Sequence, residues 1–209
     1  MNKKLKTLLI IEILEKEYPN AKCTLNFKNE TEFLVASILS AQCTDIRVNV
    51  VTQKLFKEYK NTDEFAKADI SEIERIIKPC GLYKTKAKNI VNMCRYLKEN
   101  YDSKIPNTLQ KLIKLPGIGR KIANLILGEI FEKPCIIVDT HCFRITKRLA
   151  LQNEKTPNKA EQTLKKILPK NKSHKFCHRL VAHGRLICKA KTPKCGKCCL
   201  LDFCKTKFS

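Results

Sequence analysis

Three groups of residues in this chain have types and spacing that could do chemistry. The first is Lys121, in LPGIGRK (Leu115 to Lys121), ahead of the apolar helical pattern IANLILGEI. Arg120 and Lys121 occupy the first turn of that helix, where the macrodipole favours anions, so local stability does not ask for them. The helix N-terminus and the neighbouring Arg120 both disfavour an ammonium at Lys121, and a neutral amine is what a Schiff-base nucleophile requires. A lysine that simply binds phosphate fits the same motif. The second is Asp139 in IIVDTHCFR, eighteen residues further on. An aspartate at a helix start is ordinarily an N-cap. Facing a lysine, it could instead stabilise a cationic transition state or assist proton transfer. The third is Cys188, Cys195, Cys198 and Cys204, separated by six, two and five residues in a segment with Pro193 and Gly196. Four thiols so spaced suit a structural zinc or an iron–sulfur cluster, and the spacing does not separate the two. A segment this small has no core of its own and needs a ligand to hold it. Cys199 is a spare thiol with no assigned role.

The elements that must position these groups read as helices. Gly117 and Gly119 can take φ > 0 and admit another backbone closely. With the helix that follows, they make a helix–hairpin–helix signature whose exposed N–H groups form an anion site. Apolar residues recur at helical spacing over about 4–17, 31–41, 46–59, 71–78, 84–99, 108–114, 119–131, 140–151, 159–168 and 173–187. Turn residues separate them at Pro19-Asn20, Asn61-Thr62-Asp63, Pro79-Cys80-Gly81, Pro106-Asn107 and Pro157-Asn158. Ser71 with Glu74 forms a capping-box pattern. The pattern predicts an all-α chain without repeats, low-complexity linkers or strands.

The 209 residues carry 42 Lys+Arg against 20 Asp+Glu, a formal charge of +22. Such a field attracts polyanions, nucleic acid above all. Only eight of the basic residues are Arg, so Lys-rich composition explains part of the excess. No apolar run is long enough for a membrane span. The basic, apolar N-terminus imitates a signal peptide, but Glu12, Glu15 and Glu17 interrupt it and it reads as an amphipathic helix. The other cysteines lie in apolar or helical stretches, as buried hydrophobes in a reducing cytosol would.

LPGIGRK, VDTH and the C-x₆-C-x₂-C-x₅-C terminus, in this order, closely resemble the endonuclease III family of helix–hairpin–helix DNA glycosylases. SAQCTD (Ser40 to Asp45) and GLYKTKA (Gly81 to Ala87) extend the likeness over essentially the whole chain. The resemblance implies a base excision repair enzyme that removes oxidised pyrimidines from duplex DNA and cleaves the abasic site by β-elimination. It places Lys121 on the nucleophile, Asp139 on the catalytic aspartate and the four cysteines on the ligands of a [4Fe–4S] cluster. Gln42 and Leu82 fall on residues that fill the gap left by a flipped nucleotide. Gly117, Gly119 and Arg120 fall in the DNA-binding hairpin, and Lys189, Lys191 and Lys194 in a cationic loop against DNA. It also implies two helical domains with a DNA-binding groove between them: a six-helix domain over 22–132, and residues 1–21 with 133–209 around the cluster. A cytoplasmic, DNA-associated bacterial or archaeal monomer is the matching expectation. One rival is an adenine-mismatch glycosylase, against which the lysine at position 121 argues. The other is a non-catalytic iron–sulfur DNA-binding protein, which needs neither Lys121 nor Asp139.

Overall fold

The computed structural model describes residues 2–206, which form eleven α-helices and three short 3₁₀ turns and, among the described residues, no strand. The chain divides into two compact units, one of Thr24–Phe131 and one of the residues up to Cys23 with those from Glu132 onward.

The 24–131 unit contains α2 (Glu30–Leu39), α3 (Asp45–Glu58), α4 (Thr62–Lys67), α5 (Ile70–Ile77), α6 (Tyr83–Tyr101), α7 (Leu109–Leu112) and α8 (Arg120–Glu129). α2 is buried on every side from Phe33 to Leu39, as a helix apolar all round must be, and α3, α6 and α8 pack around it. The long α6 turns Ala87, Ile90, Val91, Met93, Cys94 and Leu97 inward against α4 and α5. Side-chain caps start most of these helices: Asn29 accepts from Glu32 N–H, Thr44 from Arg47, Asn61 from Glu64 and Thr108 from Lys111.

Three local expectations change. The Asn61 segment is the cap and first turn of α4 and not an open turn, so this unit has seven helices instead of six; six residues are too few for a visible period. Asp69 caps α5, accepting from Ser71 N–H and Ser71 Oγ, so Ser71 lies inside the helix and the Ser71–Glu74 capping box does not form. The pattern over 108–114 yields only the four-residue α7.

The other unit is built from α1 (Lys3–Glu17), α9 (Thr140–Arg148), α10 (Pro157–Lys165) and α11 (Lys170–Leu186), followed by a cysteine-bearing loop. α1 buries Thr7, Ile10, Ile11 and Leu14, one stripe at helical spacing, and packs on α11. Pro157, read as a break, opens α10 at its first position behind the Thr156 cap, where the missing N–H removes nothing. α9 and α11 approach closely at Gly184, where an added Cβ would collide with the His141 ring. No described helix is long and apolar enough to cross a membrane.

Candidate functional site

The hairpin is α7, a turn over 113–119, and α8. Leu112, Leu115, Ile118 and Ile122 are buried and pin the turn from below, while Ile118 N–H donates to Leu115 O at 3.1 Å. Gly117 has φ +78°, and a Cβ there would stand 2.9 Å from Asn89 Cβ, so both conformation and space demand glycine. Gly119 departs from the expectation. Its φ of −83° suits any residue, and it serves as the N-cap of α8 with no side chain to satisfy the first N–H groups. A Cβ at Gly119 would meet nothing within 4 Å, so the space it leaves open faces outward. Arg120 is half-buried, and Lys121 is exposed at the first turn of α8 with no carboxylate paired to it among the described residues.

In the same unit a cleft is lined by Gln42, one of the expected gap-filling residues, and by Gly81, which directly precedes the other, Leu82. It has a volume of about 350 Å³, and Thr44, Arg47 and Lys78 also line it. Gln42 (φ 53°) and Leu82 (φ 49°) both adopt the left-handed region, which costs a non-glycine residue roughly 1–2 kcal/mol. Both side chains are exposed, Leu82 at 56%. A leucine of that size, strained and turned to solvent, is not a core residue.

In the other unit, Asp139 is half-buried and caps α9, its Oδ1 accepting from Cys142 N–H at 2.7 Å. The cap uses one oxygen and leaves Oδ2 available. Two residues on, His141 Nδ1 lies 3.1 Å from Arg144 Nη2. Burial outweighs the nearby Asp139 and, with the charges of Arg144 and Arg185, holds the imidazole below its ordinary value.

The four expected ligands line a single small cavity with Arg148, Ile187, Pro193 and Leu201 in its wall; Cys199 is not among its lining residues. Burial raises the Cys198 thiol and the adjacent Cys188, Cys204 and Cys195 reinforce that, so four thiolates here would repel one another without a cation. This donor set fits a metal centre. Side chains from α9 hold the loop around it. Arg148 Nη1 donates to Cys188 Sγ at 3.2 Å and to Lys189 O at 2.8 Å, and Nη2 to Ala190 O at 2.8 Å. Arg144 Nη2 donates to Cys188 O at 2.8 Å. On the far side, His183 Nε2 lies 3.5 Å from Cys198 Sγ, and its Nδ1 2.9 Å from Tyr18 Oη. Lys189, whose carbonyl is engaged in this way, and Lys191 and Lys194 beyond it all have exposed side chains.

The sequence reading did not single out Arg144 and Arg148, which look like two surface cations four residues apart. Their position on the helix that Asp139 opens, ahead of the first ligand cysteine, is the one signal it offered.

The hairpin, the capped aspartate and the thiolate loop together define a class, and comparison with known proteins agrees. Residues 35–170 match the model for HhH-GPD superfamily base excision DNA repair proteins. The chain is 42% identical to endonuclease III of Rickettsia felis over 94% of its own length and 92% of that protein's. It is 37% identical to endonuclease III of Escherichia coli, over 98% and 97% of the two chains. A solved non-covalent endonuclease III–DNA complex superposes with a TM-score of 0.93 at 39% identity, covering 98% of this chain and 96% of that one. The chain belongs to the endonuclease III family. It is therefore a DNA-binding base excision repair enzyme, a DNA glycosylase with abasic-site lyase activity.

Proposed function

We propose that this enzyme excises oxidised pyrimidines from duplex DNA with Lys121 as its nucleophile. The observation that carries the reading is an exposed lysine, with no carboxylate paired to it among the described residues, on the first turn of a helix whose capping residue is a bare glycine. The uncapped N-terminus of α8 and the turn at Gly117 receive a DNA phosphate, with Gly119 allowing its close approach and Arg120 adding charge. The Lys121 amine attacks C1′ of the damaged nucleotide, the N-glycosidic bond breaks, and the base leaves with a proton. Ring opening gives a Schiff base between Nζ and C1′. Loss of the C2′ proton then breaks the bond from C3′ to its phosphate oxygen, and hydrolysis of the imine frees the lysine. Asp139, with one oxygen held by its own helix, presents the other to the positive charge on the sugar. Gln42 and Leu82 enter the stack where the nucleotide has left it, offsetting part of an unstacking cost of a few kcal/mol.

The cysteine centre has a separate part. A [4Fe–4S] cluster on Cys188, Cys195, Cys198 and Cys204 would cross-link the loop that presents Lys189, Lys191 and Lys194 to the DNA backbone. Iron and sulfide analysis of the purified protein separates this from a zinc site.

The deciding experiment is borohydride trapping on a duplex with one thymine glycol. Wild type is expected to give a covalent adduct and Lys121→Gln none. Wild type that binds this duplex, but neither traps nor cuts it or an abasic-site duplex, refutes the assignment.

A further inference from the structure

One buried cation of the 24–131 unit takes no part in the proposed chemistry. Lys86 is 3% exposed, within α6. Among the described residues no carboxylate is paired with it. Its Nζ donates to Leu39 O and to Cys80 O, both at 2.9 Å, and the Cys43 and Cys80 thiols are the other groups facing it. Burial pulls the ammonium below its ordinary value, opposed by those thiols. An apolar side chain would fill this space at lower cost, so the donors themselves need a reason.

The two acceptors supply one. Leu39 is the last residue of α2, where an unsatisfied carbonyl and the negative end of the helix dipole favour a cation. Gln42 follows three residues later. Cys80 closes the 3₁₀ turn Lys78–Cys80, and Leu82 follows two residues later. Lys86 also donates its own backbone N–H to Leu82 O at 3.0 Å. A single residue thus fixes the backbone leading into both left-handed, exposed side chains. Residues in that region persist only where their surroundings determine them.

We infer that Lys86 is a positioning residue for base extrusion: it clamps the Gln42 and Leu82 loops to each other so that both wedges are set before DNA arrives. This rests on the reading of Gln42 and Leu82 as gap fillers. Preorganisation of this kind matters where a paired base must be taken from the stack and is idle where the nucleotide is already unstacked.

The test compares single-turnover cleavage of two duplexes, one with a thymine glycol paired to adenine and one with the lesion in an unpaired bulge. Enzyme is counted by borohydride trapping on a bulged abasic site, so a misfolded fraction drops out of the ratio. Lys86→Met is expected to lose at least tenfold on the paired lesion and to stay within twofold on the bulged one. Lys86→Arg, which keeps the donors, should recover most of the loss. Leu82→Ala should show the same selective loss, and combining it with Lys86→Met should add little. Equal losses on both duplexes, or none on either, overturn the positioning role. If Leu82→Ala leaves the ratio unchanged, the wedge reading fails instead of the clamp.

Discussion

A methyl group at Gly117 would fail on two counts, since φ is +78° and Asn89 already occupies the space. At Gly119, two residues away, the backbone accepts any side chain and the protein leaves the space open. The sequence shows two equivalent glycines; the structure gives one a folding reason and the other none beyond its place at the helix start. Gly117→Ala should therefore lower stability by about 2 kcal/mol, from left-handed strain plus a clash. Gly119→Ala should cost only about 0.5 kcal/mol, because alanine is a poorer N-cap than glycine. Its loss should appear in DNA affinity, at least tenfold, where a phosphate would meet the new methyl. Denaturant unfolding and duplex binding on both variants check this. Comparable unfolding losses, or unchanged affinity in Gly119→Ala, would remove the phosphate-approach argument.

Helices whose apolar stripe runs for two turns or more were legible, and the reason is visible in α1, where four buried positions at helical spacing suffice to define it. α4 was not, because six residues held by an Asn61 cap carry too short a period. In the candidate site, glycines, a lysine and cysteines are chemically distinctive and could be named. Lys86, Arg144 and Arg148 could not, since a cation in a helical pattern reads as solvated face until its acceptors are known. The left-handed turns at Gln42 and Leu82 were hidden for the converse reason: neither residue is a glycine, so nothing in the letters announces φ > 0. The pairing of α1 with α11 shows the same limit. Glu15 Oε1 lies 3.0 Å from Arg179 Nη1 and its Oε2 3.2 Å from Lys172 Nζ, across 164 and 157 residues. Burial works against the Glu15 charge, but the hydrogen bond and charge of Lys172, with Arg179, hold its carboxyl below the ordinary value. A carboxyl lowered by folding stabilises above its unfolded value and loses that stabilisation as pH falls through the folded one. Glu15→Gln should thus cost about 1 kcal/mol at neutral pH, and the difference from wild type should shrink as the pH drops below about 4.5. Urea unfolding at several pH values measures it; a pH-independent difference would show that packing, not charge, joins these helices.

Over the whole molecule, +22 exceeds what a short DNA footprint calls for, and the charge can act in two ways. Diffuse lysines raise the potential around the protein and speed encounter, whereas lysines seated on phosphates release counterions and set the salt dependence of binding. The loop between Cys188 and Cys195 belongs to the second kind if the arginines of α9 serve to aim it, because a loop fixed at Cys188, Lys189 and Ala190 presents its cations in one geometry. Replacing Lys189, Lys191 and Lys194 together by Gln removes three charges. Each phosphate contact contributes roughly 0.9 to the slope of log K against log salt, so the slope should fall by about 2.7. Three lysines elsewhere on the exposed surface, Lys57, Lys98 and Lys159 for example, should leave the slope almost unchanged when replaced in the same way. Arg148→Ala should reproduce part of the loop's effect without removing any of its lysines, since the carbonyls of Lys189 and Ala190 lose their donor. If the two triple variants shift the slope equally, the charge acts as a diffuse field and the loop has no privileged role.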